Sequence, residues 1–165
     1  MRTRSDHESR SMRDNRRVAR RTNPDRSLEE LEDDRWPAPA ADATRLVATV
    51  HALRRRPIGS LTVEDLRVLI GQDVGLPYLL PVAMSVLRED PLAEGDMYEG
   101  DLLAAVVTRK PFVWSEFPEL ARELRVLAPK AAALSPALRP ETDRFLGQAP
   151  GTSTAGRPQA SEPRP

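Results

Sequence analysis

PIGSLTVEDLRVLIGQDVGLPYLLPVAMSVLREDPLAEGDMYEGDLL, from Pro57 to Leu103, carries two well-signalled helices, their connection, and an acidic turn leading into a third. Thr62 stands at an N-cap position. Its hydroxyl can accept from the free N–H of Asp65, and the Asp65 carboxylate can reach back to close a capping box. Leu61 and Leu66 flank the cap as a hydrophobic staple. Leu66, Leu69 and Ile70 then recur at helical spacing and set one stripe against a core. Gly75 supplies a left-handed stop, and Pro77 suits the first turn of the next helix, where its missing N–H would be unpaired anyway.

The following helix, Leu76 to Glu89, is apolar on almost every side, from Leu76, Leu79 and Leu80 to Met84, Val86 and Leu87. A helix without a polar face is normally wrapped by others, which makes it the expected central one. Pro81 falls near its first turn or kinks it. Its apolar run of about 12 residues is too short and too Pro-interrupted for a bilayer, which needs roughly 20. The chemistry then changes abruptly. Glu89, Asp90, Glu94, Asp96, Glu99 and Asp101 follow within thirteen residues that contain no base. Such a cluster repels itself, so it is either solvated or matched by a partner.

The pattern R-R-x-P-I-x-x-L-T-V-E-D-L-R-x-L-I-G-Q runs from Arg54 to Gln72, and G-L-x-x-L-L-P-x-A follows from Gly75 to Ala83. D-P-L-A-E-G-D-x-Y-x-G-D-L-L completes it from Asp90 to Leu103. In this order and spacing the chain resembles the small all-helical immunity proteins of bacterial contact-dependent growth inhibition systems. The likeness extends more loosely back to Ser27–Glu32 and forward through Trp114 and Pro118-Glu119-Leu120. It implies an all-α fold and a cytoplasmic protein that binds the toxic C-terminal domain of a cognate effector, often a nuclease, with no cofactor and no catalysis of its own.

Length and composition set the frame: 165 residues allow one domain. The 25 basic and 25 acidic residues cancel, but they are unevenly placed. Met1 to Arg26 has nine arginines against four acids, a net of +5, while Ser27 to Arg139 has thirteen bases against eighteen acids, a net of −5. Two lysines stand beside 23 arginines, a bias that looks like GC-rich coding and weakens any argument from arginine alone. With no cysteine, disulfides and thiol chemistry are excluded. The Arg-rich start is followed by no apolar h-region, so no signal peptide is expected.

Along the chain, Met1 to Arg26 lacks apolar periodicity and is expected to be disordered. A weak, sequence-independent nucleic-acid contact is the competing functional reading of this tail, and an upstream misplaced start codon is another. Ser27 to Asp34 reads as a short helical turn with a Ser27/Glu30 capping box. Trp36 is large enough to anchor this arm on the domain. Asp42 to Arg55 is the next helix, capped by Asp42 or Thr44, with Leu46, Val47, Val50 and Leu53 as its buried stripe. Arg54, Arg55 and Arg56 at its end read as a solvated charge cluster or as a contact to a partner or to the acidic turn. His51 has no second imidazole near it in sequence, which argues against a metal pair.

A helix from Tyr98 or Asp101 to Thr108 buries Leu102, Leu103, Val106 and Val107. Either Asp96 with Glu99 or Asp101 alone caps it. Lys110-Pro111 opens an aromatic segment with Phe112, Trp114 and Phe117, and Pro118 starts a last helix with Leu120, Leu124 and Leu127 on one face. From Ser135 onward Pro, Gly, Ser and Thr dominate, so the expected domain is 27–134, an all-α bundle of six helical segments between disordered tails 1–26 and 135–165.

No GxSxG elbow, phosphate-binding glycine loop or metal-ligand spacing is present, and no catalytic residue, cofactor or metal is expected. Partner-binding candidates are Glu89, Asp90, Glu94, Asp96 and Glu99. An acidic rigid surface suits the basic cleft of a nuclease toxin. Against this stands a structural reading, in which Gly95 and Gly100 permit the backbone of the turn and Asp96 or Asp101 caps a helix. A nucleic-acid-associated or regulatory helical protein using its basic tail is the alternative from another class.

Overall fold

Helix α1 (Leu28–Glu32) begins at Ser27, whose side chain and that of Glu30 close the expected capping box, and it ends at Asp33 in a left-handed conformation. The computed structural model describes residues 22–148. Of the expected disordered tails 1–26 and 135–165, residues 1–21 and 149–165 lie outside the described residues. Helix α2 (Arg45–Leu53) is capped by Thr44, so Asp42 is not the cap. A 3-10 turn (Ile58–Ser60) leads to α3 (Val63–Gly71), where Asp65 N donates to Thr62 Oγ1 at 3.2 Å and Thr62 N to Asp65 Oδ2 at 3.0 Å. These two bonds satisfy amides that a helix start leaves without partners.

The end of α3 differs from the expectation. Val74 N donates to Leu69 O and Asp73 N to Ile70 O, both at 3.0 Å, with Asp73 at φ 58°. This is a Schellman stop built on an aspartate. Gly75, also left-handed at φ 63°, instead precedes α4 (Leu76–Glu89). A Cβ there would stand 2.6 Å from a methyl of Leu28, so the α3–α4 corner and the N-terminal arm meet at a position only glycine fills.

Helix α5 (Asp101–Val107) follows the acidic loop, then α6 (Pro111–Glu116), α7 (Pro118–Leu134), a 3-10 turn (Pro136–Leu138) and α8 (Arg139–Gly147). The described residues hold no strand, only an isolated bridge between Ser27 and Pro57. The fold is all-α, as expected. The most enclosed element is α5 rather than α4. It packs on α3, α4, α7 and α8, and only Ala105 of its seven residues escapes burial. Apolar content marked α4 correctly, but the number of neighbours an element has is a tertiary property that periodicity does not carry.

Four further expectations are corrected. Helix α2 packs chiefly against α3 and buries Val50 and Leu53, leaving Leu46 and Val47 more than two-fifths exposed. Of the arginine cluster, Arg55 and Arg56 are exposed, as a solvated cluster would be, but Arg54 is neither solvated nor set against the acidic turn. Arg54 is buried, donates to Glu32 and to the Asp34 carbonyl, and lies 4.0 Å over the Trp36 ring. Arg55 pairs with Glu29 and Arg56 with Asp65, so all three tie the N-terminal arm and the α3 cap to the end of α2.

Order also begins before Ser27: the carbonyls of Pro24 and Arg26 accept from Gly59 N at 2.8 Å and Ile58 N at 2.9 Å. At the other end, the boundary at Leu134 is too early. Residues 136–147 turn back onto α7 and α5, and Leu138 and Phe145 are each 1 % exposed. Phe145 stands edge-on to Trp114 with centroids 5.5 Å apart. Their apolar burial repays the ordering of a segment whose Pro content reads as unstructured.

Candidate functional site: the acidic loop

The loop between α4 and α5 is organised by one carboxylate. Asp101, the first residue of α5, is 2 % exposed and turns back into the loop. Its Oδ1 accepts from Gly95 N at 2.7 Å, and its Oδ2 accepts from Met97 N at 3.0 Å and Tyr98 N at 3.4 Å. Charge-assisted bonds of this kind are about twice as strong as neutral ones and fix the course of the chain. Neither expected cap of α5 is seen. The N-cap is Gly100 at φ 83°, with no side-chain capping bond, and Asp101 caps the loop rather than the helix.

A second support rises from α3. Glu64 forms a two-point pair with Arg67, with both contacts at 2.6 Å, and its Oε2 also accepts from Asp96 N at 3.0 Å. The Arg67 guanidinium lies 3.7 Å from Asp101 Oδ2 and so serves both carboxylates. The paired arginine, reinforced by the Asp96 amide, holds the Glu64 carboxyl below its ordinary value against the opposing effect of burial. The same pair raises Arg67. The acidic stretch contains no base of its own, yet Arg67 neutralises its base from another helix.

Two glycines make room. A Cβ on Gly95 would stand 2.5 Å from Glu64 Oε2, and one on Gly100 would stand 2.6 Å from Leu138 Cδ1. The second contact brings the unforeseen C-terminal segment under the loop. Asp90 Oδ1 accepts from Leu92 N at 3.0 Å, so this candidate shapes the turn that leaves α4.

Of the five sequence candidates, Glu94, Asp96 and Glu99 are brought together on one exposed loop, and Glu89 and Asp90 stand exposed at its root. Among them the loop presents Met97 and Tyr98, 65 % and 46 % exposed, which charge counting overlooks. Asp101, the sixth acid of the stretch, is internal. The signals for Glu64 and Arg67 as supports were absent, because their i, i+3 pairing reads as an ordinary helix pair. Among the described residues no group of His, Cys, Asp and Glu is arranged to hold a metal ion, and no helix is long and apolar enough to cross a membrane.

A family model described as CDI immunity proteins matches residues 30–124, more than half of the chain. The match runs from α1 into α7 and includes the acidic loop with both of its supports. No curated protein and no solved structure matches the chain.

Proposed function

Since this chain belongs to the family of CDI immunity proteins, we propose that it binds the toxin domain of a cognate effector and neutralises it as a stoichiometric blocker in the cytoplasm, without a reaction of its own. The surface assigned to that task is the loop that carries Glu94, Asp96 and Glu99, with Glu89 and Asp90 at its root. A nuclease toxin, with a cleft made basic for phosphates, is the matching partner.

One observation carries this assignment: three exposed carboxylates sit on a loop whose amides are already held by the buried Asp101 and by Glu64. Loops that must be ordered on binding lose affinity, and this one has been ordered by folding. Opposite charge chiefly raises the association rate, while Met97 and Tyr98 are of the kind that lengthens residence. The structural reading of the turn is compatible with this, because the acid that builds it, Asp101, is not among those that face out.

The test uses the C-terminal toxin domain of the cognate effector. Glu94→Lys with Glu99→Lys should fold normally, lower the association rate by about tenfold or more, and flatten its salt dependence. A folded double variant with unchanged kinetics would retire this loop as the toxin-facing surface.

A further inference from the structure

Helix α3 has the acidic loop at one end and a different surface at the other. Beyond its C-terminus two cavities of about 480 and 360 Å³ adjoin, sharing Glu32, Asp73 and Gly75. Together they form a trench that crosses the Schellman turn, from Trp36 on the N-terminal arm to Phe112 on α6. Its α6 half is apolar at the base, where Leu76, Val113 and Phe117 line it. Phe112 stands over it, 61 % exposed, although its neighbours Val113 and Trp114 are buried. A large aromatic ring left in water beside a concave apolar surface is the usual form of an anchor for a partner.

Charge says what kind of partner. The side chains of Asp34 and Asp73 are 63 % and 42 % exposed along the trench, Glu32 is 24 % exposed, and Glu116 is an exposed residue at the α6 end. The arginines beneath are nearly covered and committed: Arg54, 2 % exposed, to Glu32, and Arg109, 11 % exposed, to Asp73 at 2.7 Å. Lys110 is the exposed cation among the described lining residues. The trench therefore offers an apolar slot whose four rim carboxylates outnumber the three cations Arg54, Arg109 and Lys110 by one, with Asp34 and Asp73 the paired acids that reach furthest into solvent.

We propose that this trench docks a second segment of the protein partner, one that sets an apolar side chain beside Phe112 and flanks it with lysines or arginines. The inference rests on the reading that the chain binds a toxin, and it adds a contact that the acidic loop does not supply. Residues 27–139 of a second copy are a poorer occupant, because they carry a net charge of −5. The nine residues of α3 span roughly 13 Å at about 1.5 Å per residue. The loop would steer the partner in, and the trench would hold it.

The experiment measures association and dissociation of the same toxin domain on the full-length chain, with Phe112→Ala and Lys110→Glu compared against the loop variant. Both residues are exposed, so melting temperatures should stay at the wild-type value. Phe112→Ala should raise the dissociation rate by about tenfold, the effect of losing an anchor of roughly 1.4 kcal/mol. Lys110→Glu, which removes the exposed cation, should move the other way and tighten binding by about two- to fivefold, a direction that a merely structural role would not produce.

If both variants match wild type while Glu94→Lys with Glu99→Lys associates about tenfold more slowly, the trench is not a docking site and the proposed function stands. If the wild-type chain does not bind the toxin, the proposed function falls and the trench falls with it. If deleting residues 1–21 erases the effect of Phe112→Ala, or if Phe112→Ala splits a wild-type dimer in sedimentation, the occupant belongs to this chain and the assignment to a toxin segment is wrong.

Discussion

The carboxylate of Asp101 lies 2.7 Å from the amide nitrogen of Gly95, and with the same group it takes the amides of Met97 and Tyr98. One buried anion thus sets the shape of a loop that is otherwise acidic and exposed. Asp101→Asn keeps the volume but turns an NH2 group toward at least one of those amides. The expected loss is about 1–3 kcal/mol of stability, the range for a hydrogen-bonded charge. Urea denaturation gives the magnitude. Faster hydrogen exchange confined to Gly95, Met97 and Tyr98 would place it in the loop, and unchanged exchange there would contradict the role given to Asp101.

Gly95 and Gly71 make a matched pair with opposite expected signs. A Cβ at Gly95 would intrude to 2.5 Å on Glu64 Oε2, which already holds Arg67 and the Asp96 amide. Gly95→Ala should therefore cost about 1–3 kcal/mol, as overpacking does. Nothing lies within 4 Å of a Cβ at Gly71, in the last turn of α3. Gly71→Ala should stabilise by about 0.5–1 kcal/mol through the lower entropy of the unfolded chain. Thermal melting of the two variants decides both, and a common sign would contradict the argument.

Acid should loosen the loop from its α3 side. The Glu64 carboxyl is held below its ordinary value of 4.5, first by Arg67 and then by the Asp96 amide. Its folded value being the lower one, its contribution to stability is complete above the unfolded value and is lost as pH falls through the folded one. The Asp96 amide resonance should thus hold constant above about pH 4.5 and shift only below it. Glu64→Gln should remove that transition. A shift of the Asp96 amide centred well above pH 4.5 would argue against Glu64 as its partner.

Much of this was legible in the sequence, and the parts that were not share a cause. The Ser27/Glu30 and Thr62/Asp65 capping boxes and the span of α4 depend on neighbours three or four residues apart, and the chain states them directly. The exposed acids of the loop were likewise visible as composition. Arg54 gave no sign that it would lie buried against Trp36, because its partners Glu32 and Asp34 are 22 and 20 residues away. Asp101 read as a helix cap because local spacing knows only the helix that follows it. It faces the loop because its helix is enclosed on every side, and the amides that precede it are the donors within reach.

The C-terminal segment is where composition misled most, and it gives the sharpest test of the domain's extent. Proline at the first turn of a helix is no obstacle, and Pro136 and Pro140 both occupy such positions. Behind them Leu138 covers Gly100 at the mouth of the acidic loop, and Phe145 fills the space against Trp114, with the Arg125 guanidinium 5.2 Å over its ring. Arg125 also donates to the carbonyls of Leu146 and Gln148, fastening α8 to α7 from the outside. Phe145→Ala should therefore cost about 3–5 kcal/mol, the range for an aromatic side chain removed from a core. A chain ending at Leu134 should expose the same surface all at once and lose cooperative unfolding. A chain ending at Gln148 should melt with the full-length protein. If the version ending at Leu134 instead unfolds with full-length stability, α8 is not part of the core and the boundary belongs back at the end of α7.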